Sequence, residues 1–572
     1  MIQFSNKLVN YLTPLYREQA GRIKAELEAH ARTIRVRRSA TTRALWYKKI
    51  QLYTVYPDGI RLDPARSPLG NLLLHLPLVR KLHCNALHIL PFCDSPQVDK
   101  GFDVRDHYRV RPDLGTLEEL QELIAAADQA GIKVFMDLIV NHVSDQHDWF
   151  KRAQEGDPRY QDYFITTRRR PEFLRRSNQA DRVVAIYNVA NKKLPVEIVF
   201  PEFAGAFPHW REGPDGLWYY HTYYPQEVDL NWMNPEVFLQ FGRILMFWAS
   251  QGFHFRLDAI PYIGKAAYKV TDDDNSATHL IAAALRCISD RVHLYSANLV
   301  ESFETLPTII DYFGTTRHEA AQLSYNFHLC TSTWLSLCTG NADFIWHTQE
   351  HEKLIPAHAQ WLNFLRNHDE LSLAHLVPSL ARTVRSAVLR GGRDFRHGHG
   401  IAGRTAALLG GDPRRLRMAH VLLASLPGGL MVMYGDEIGA GNVAWEKLSE
   451  SERQDPRNIN RGTFTAADYR TGAAAELVDF FKELLGLRER LADAFTTWPE
   501  RIGQRKSVYA ARYRRGGGWI QAFVNLSGRR AVLAEELGTA EILMSVNEAR
   551  QEKGRIYLGP YGCIWLQRVS AN

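Results

Sequence analysis

Short β-rich runs recur along the first three quarters of the chain, and longer amphipathic segments separate them. Eight of these runs follow one another, at residues 49–56, 86–90, 134–140, 253–259, 292–300, 323–327, 361–367 and 430–435. Several are apolar throughout, which is typical of parallel strands that helices cover on the outside. The repeated strand and helix units therefore predict an α/β fold, a (β/α)8 TIM barrel.

Three segments depart from this repeat. Residues 1–45 place apolar side chains at helical spacing and predict a helical N-terminal extension. Within the barrel, residues 46–495, the long interval at about 143–250 predicts an inserted subdomain after the third strand. Residues 496–572 consist of β-type runs separated by Gly or Asn turns, which predicts a C-terminal antiparallel β-sandwich.

Charge and composition favour no macromolecular or membrane partner. Lys and Arg number 70 against 63 Asp and Glu, and a net charge of +7 over 572 residues gives little support to nucleic-acid binding. No uninterrupted apolar run is long enough for a membrane span, and the N-terminus lacks the pattern of a secretory signal. The six cysteines form no CxxC pair. We expect a cytoplasmic protein with no required cofactor; its oligomeric state stays open.

Polar residues concentrate where the predicted strands end, which is where barrel enzymes carry their catalytic side chains. The third run is followed by Asn141 and His142, the fourth carries Arg256 and Asp258, the fifth ends at Glu301, and the seventh ends in Asn367, His368 and Asp369. We therefore expect Asp258, Glu301 and Asp369 to converge on one pocket.

Spacing within the fourth run suggests a chemical role for this pocket. Arg256 and Asp258 lie two residues apart, so both side chains point to one face of a strand. The guanidinium is expected to hold the carboxylate ionised and oriented. An ionised Asp beside a protonated acid, for which Glu301 is the candidate, is the pair that a retaining glycosidase requires.

Four segments, DLIVNH, GFHFRLDAI, LVESFE and FLRNHDE, resemble the ordered signature segments of the α-amylase family of glycoside hydrolases. The resemblance covers roughly residues 46 to 570. It implies a (β/α)8 barrel, a domain inserted after strand three and a C-terminal β-sandwich.

The resemblance also implies residue roles. Asp258 corresponds to the nucleophile, Glu301 to the general acid/base, and Asp369 to the third acid that stabilises the transition state. The implied substrate-binding residues are Arg256, His142 and His368. An alternative alignment would place Ser296 at the position of the acid and imply an inactive enzyme. The following DYFG aligns without a gap and favours Glu301.

The segment DKGFDV resembles a motif whose first Asp, in exo-acting members, pairs with an Arg ahead of the C-terminal domain. Asp99 is that residue here. Its implied partner is Arg461, with Arg457 as the alternative, and Phe102 supplies the aromatic platform. Such a pair binds a terminal glucose and limits the substrate to short α-glucosides.

Within the family, residues 364–442 and part of the insertion are most similar to trehalose synthases, whereas the N-terminal extension and DPRNINRG are more similar to amylosucrases. The resemblance implies double displacement with maltose/trehalose interconversion or transglucosylation. α-Glucosidase or sucrose-acting activity is the alternative. An inactive sugar- or partner-binding relative is disfavoured because the three acids are intact. By position, Asn141 is a possible calcium ligand.

Overall fold

Eight parallel strands form a closed barrel in the computed structural model, which describes residues 4–37, 44–179, 182–265, 276–315, 319–534 and 540–568. Their bounds are β1 Gln51–Val55, β2 Ala86–Ile89, β3 Lys133–Ile139, β4 Phe253–Asp258, β5 Asn298–Val300, β6 Leu323–Tyr325, β7 Gln360–Asn363 and β8 Gly429–Met433. Each strand pairs with its sequence neighbours, and β8 closes on β1. The predicted (β/α)8 barrel is confirmed.

The predicted strand positions match the observed barrel, but several strands are shorter than predicted. The seventh run was expected at 361–367, whereas the strand is Gln360–Asn363. The fifth run was expected at 292–300, but only Asn298–Val300 is strand. The reason is that the preceding helix, Ser276–Val292, extends to the first residue of that run. The short strand still ends directly before Glu301.

The helices alternate with the strands as a (β/α)8 barrel requires. Those of ten or more residues are α1 Asn6–Tyr16, α2 Gln19–Ala31, α3 Pro68–Lys81, α4 Leu117–Gln129, α5 Pro235–Gln251, α6 Ser276–Val292, α7 Phe327–Thr339, α8 Asp343–Glu352, α9 Pro378–Val388, α10 Pro413–Ala424 and α11 Gly472–Arg490. Shorter helices are Asp148–Gln154, Pro158–Gln161, Leu306–Asp311, Thr405–Leu408 and Ala492–Phe495. No helix in the described ranges is long and apolar enough to cross a membrane.

The N-terminal extension is helical, and it packs on the barrel helices α5 and α6. Leu27 of α2 is fully buried there. A Cβ on Gly242 of α5 would lie 2.7 Å from a methyl carbon of Leu27, so a glycine is needed for this close approach. The Tyr16 hydroxyl adds a hydrogen bond of 2.7 Å to the carbonyl of Trp232.

The segment between β3 and β4 contains several small antiparallel sheets. Its strands are His142–Ser144, Thr166–Thr167, Glu172–Asn178, Val183–Val189, Lys192–Glu197, Trp210–Glu212, Trp218–Tyr220 and Glu227–Asp229. The last of these ends at Asp229, and α5 then leads into β4. The inserted strands thus end before residue 250, because residues 235–251 form a barrel helix.

The C-terminal segment forms two antiparallel sheets. One contains Glu500–Arg501, Val508–Arg515, Gly518–Asn525, Cys563–Arg568 and Glu541–Val546, and the other contains Ala531–Ala534, Arg555–Leu558 and Ala549–Glu552. Tyr513 and Trp565 join the first sheet to the barrel, because both donate hydrogen bonds to Ser425 after α10, at 2.7 and 2.8 Å.

Candidate active site

The three predicted acids come together at the carboxyl ends of the barrel strands. Asp258 is the last residue of β4, Glu301 directly follows β5, and Asp369 lies in the loop after β7. All three line one cavity of about 160 Å³. The predicted binding residues Asp99, Phe102 and His142 line it too, together with Arg457.

Arg256 holds the centre of this site. Its guanidinium is buried and contacts the carboxylates of both Asp258 and Glu301. It also donates to Asp137 on the adjacent strand at 2.7 Å, where the pairing of β3 with β4 places the two residues side by side. The Arg256 guanidinium therefore fixes the positions of Asp258 and Glu301, the predicted nucleophile and the predicted general acid.

The two acids differ in pKa. Burial raises the pKa of Asp258 to about 6, although Arg256 and His142 oppose the shift. Burial raises the pKa of Glu301 to about 8, with repulsion from Asp258 adding to the effect. Arg256 lowers the Asp258 pKa, as its position suggests, but desolvation outweighs the guanidinium. The order of the two pKa values nevertheless favours an ionised Asp258 beside a protonated Glu301 at neutral pH.

Asp369 lies in a strongly cationic environment. His368 Nε2 is 3.1 Å from its carboxylate, Arg457 Nη1 donates at 2.8 Å, and Arg461 Nη2 donates at 3.3 Å. Burial alone would raise the Asp369 pKa, but these partners outweigh it and hold the pKa well below its usual range. Asp369 is therefore the permanently ionised acid of the three.

Asp99 has two arginine neighbours. Arg457 Nη2 donates to Asp99 Oδ1 at 3.0 Å, whereas Arg461 Nη1 lies 3.6 Å from the same oxygen. The hydrogen-bonded partner is thus Arg457, and the sequence-based preference for Arg461 is corrected. The physical cause lies in Asp455, which accepts from the Arg457 backbone at 2.9 Å and from its Nε at 3.0 Å. This contact orients the Arg457 side chain toward Asp99.

The remaining predicted binding residues are one aromatic residue, Phe102, and two histidines, His368 and His142. The Phe102 and His368 rings are stacked with centroids 5.2 Å apart and planes 10° apart. His142 Nε2 lies 3.5 Å from a carboxylate oxygen of Glu227, a residue that sequence reasoning missed. Burial would lower the His142 pKa, but Glu227 outweighs it and raises the pKa to about 9.

Further cavity residues come from the insertion and from the segments that follow the barrel strands. Arg396 Nη2 forms an ion pair of 2.9 Å with Glu197, 199 positions earlier in the insertion. The remaining lining residues that the sequence did not indicate are Val199, Phe200, Tyr223, Ala259, Pro261, Tyr262, Phe303, Glu304, Glu370 and Ala374. No motif spacing links these positions, so only the folded chain could identify them.

Asn141 does not fit the expected role of a calcium ligand. The buried ammonium group of Lys265 contacts Asn141 Oδ1, lies 2.7 Å from Asp229 and donates to the Tyr262 carbonyl at 2.7 Å. These oxygens, which could otherwise bind a cation, already surround one. Within the described ranges, no group of three or more His, Cys, Asp or Glu side chains could hold a metal ion.

A closed barrel with three acids in one cavity at the carboxyl ends of its strands is typical of an enzyme. Comparison with known proteins identifies the family. The model of the α-amylase catalytic domain matches residues 69–388. The trehalose synthase of Thermus thermophilus is 30% identical over 70% of this chain and 39% of its own length. The trehalose synthase/amylase TreS of Mycolicibacterium smegmatis is 30% identical over 74% of this chain and 67% of its own length.

Solved structures agree in fold. The α-amylase from H. orenii superposes with a TM-score of 0.68 at 20% identity, covering 91% of this chain and 100% of that one. The chain belongs to the α-amylase family. It spans about two fifths of the Thermus relative and two thirds of the mycobacterial one.

Proposed function

We propose that this protein is a retaining, exo-acting α-glucoside enzyme that works by double displacement on short α-glucosides. The observation that carries the proposal is the single guanidinium of Arg256, which holds Asp258 and Glu301 together in one cavity. Their pKa values of about 6 and about 8 assign them opposite protonation states near neutrality.

In the first step, the Asp258 carboxylate attacks the anomeric carbon and forms a β-glucosyl ester, while Glu301 donates its proton to the leaving oxygen. In the second step, Glu301 accepts a proton from the acceptor hydroxyl, which attacks the ester and regenerates Asp258. Asp369, held ionised by Arg457, stabilises the positive charge that develops on the sugar ring.

The Asp99–Arg457 pair supports the exo-acting part of the proposal. Both side chains are buried and line the cavity, and we expect this charged pair to block the path of a continuing sugar chain. Hydroxyl groups of a terminal glucose fit such a pair because carboxylate and guanidinium supply acceptors and donors respectively.

Similarity to trehalose synthases makes maltose and trehalose the first substrates to test, with interconversion as the expected reaction. Purified protein would be incubated separately with maltose, trehalose, sucrose and a chromogenic α-glucoside, and the products resolved by chromatography. Asp258→Asn is the inactive control. Interconversion, free glucose or longer oligosaccharides would identify isomerase, hydrolase or transferase activity. Absence of turnover on all four substrates would refute the proposal.

A further inference from the structure

A second cavity adjoins the candidate active site but shares no lining residue with it. Its volume is about 580 Å³, within the range of small-molecule binding sites. Asp455 and Tyr224 line it, and both are hydrogen-bonded to Arg457, which lines the active-site cavity. The two cavities are thus separated by one layer of interacting side chains.

The lining of the second cavity is rich in amide groups. Side chains that both donate and accept hydrogen bonds are Gln97, Gln226, Gln454 and Asn458. The Nε2 atom of Gln97 is buried, and no hydrogen-bond partner for it is found among the described residues. The amide side chains that line the cavity can donate hydrogen bonds to the hydroxyl groups of a bound molecule and accept hydrogen bonds from them.

Charged groups in the cavity leave no strong excess of either sign. Arg461 and Asp455 approach each other to 3.4 Å, and Lys100 lies 3.2 Å from Asp58. Glu202 and Glu452 also line the cavity and disfavour an anionic ligand. Amides and paired charges together fit a neutral molecule with many hydroxyl groups.

We propose that the second cavity is a second sugar-binding site, selective for a neutral monosaccharide such as glucose, and that it is coupled to the active site. Asp455 provides the coupling. Its carboxylate lies 2.9 Å from Arg457 Nη2, the nitrogen that donates to Asp99 at 3.0 Å. A sugar hydroxyl bound to Asp455 would compete for that carboxylate and alter the Asp99–Arg457 pair.

The binding site is tested by calorimetric titration of the full chain with D-glucose. We expect two sites on the wild type, one of which is weakened about tenfold or more in a Gln226→Leu/Gln454→Leu variant, because its hydrogen bonds are lost. Gln121→Leu, at an exposed position of α4, is the matched control and should retain both sites. A single site that the double variant leaves unchanged, or no glucose binding at all, would overturn the proposal.

The coupling rests on the proposed function and has its own test. Glucose should inhibit cleavage of a chromogenic α-glucoside in two ways, by competition in the active site and by a noncompetitive component from the second cavity. Only the noncompetitive component should disappear in Gln226→Leu/Gln454→Leu. Purely competitive inhibition of the wild type would overturn the coupling. If no α-glucoside is turned over, the proposed function fails, whereas the titration still decides whether the second site exists.

Discussion

The protonation states of Asp258 and Glu301 give the most direct test of the proposed mechanism. Activity requires Asp258 ionised, so kcat/KM should rise with pH through a pKa of about 6. It also requires Glu301 protonated, so kcat/KM should fall as pH passes about 8. The optimum is then near pH 7, and about a tenth of the maximum should remain one pH unit beyond either pKa.

The Glu301→Gln variant tests whether Glu301 causes the fall in kcat/KM at high pH, the alkaline limb of the pH profile. The amide cannot titrate, so the fall above pH 8 should vanish while the acidic limb at about 6 remains. The rate on maltose should drop by about 100- to 10,000-fold because general acid catalysis is lost. A substrate with a good leaving group, such as a nitrophenyl α-glucoside, needs less protonation and should lose much less in its first step.

The assay is kcat/KM on maltose, whose leaving group needs the proton, between pH 4.5 and 9.5, a range that extends about 1.5 pH units beyond each expected limb. Glu304→Gln is the control, because Glu304 lines the same cavity and accepts a hydrogen bond of 2.9 Å from Ser302. It should keep both limbs. An alkaline limb that persists in Glu301→Gln would refute the assignment of Glu301 as the acid.

Four further predictions concern the supports of the site and of the fold. Arg457→Lys should lower kcat/KM by about 100-fold, and Arg461→Lys by less, because only Arg457 hydrogen-bonds Asp99; equal losses would contradict this ranking. Lys265→Met should destabilise the fold by about 3 to 5 kcal/mol in chemical denaturation by leaving Asp229 without its counter-charge. A chelator should leave the wild-type Tm unchanged, and a clear drop would show a required metal. Leu27→Ala should cost about 2 to 5 kcal/mol in the same denaturation assay, and a loss near zero would mean that α2 is not part of the folded core.

The strand-borne part of the site was accessible from sequence because strand geometry is regular. Alternation placed Arg256 and Asp258 on one face, and parallel strands bring their carboxyl ends to one end of the barrel. Asp258, Glu301 and Asp369 could therefore be expected in a single cavity. The pair Glu197 and Arg396 could not, because Glu197 ends a strand of the insertion, Arg396 lies between β7 and β8, and their approach depends on how the insertion folds over the barrel.

Two predictions required knowledge of what surrounds each group in three dimensions. Asn141 has the position expected of a calcium ligand, but a buried ammonium from a residue 124 positions later contacts its oxygen. Likewise, the spacing of Arg256 and Asp258 predicted a carboxylate held by the guanidinium, but only the folded chain shows that burial raises the pKa of that carboxyl to about 6. A favourable neighbour can be recognised from spacing, but the cost of removing both groups from water depends on the whole fold.

The same reasoning explains why Asp258 does not need a low pKa. A nucleophile with a pKa of about 6 is mostly ionised at pH 7, and its partner acid at about 8 is mostly protonated. The charge of ionised Asp258 adds to the rise of the Glu301 pKa, so Glu301 stays protonated after Asp258 has lost its proton. The separation between the two limbs of the pH profile, rather than either value alone, therefore sets the pH range in which both acids have the protonation states that the reaction needs.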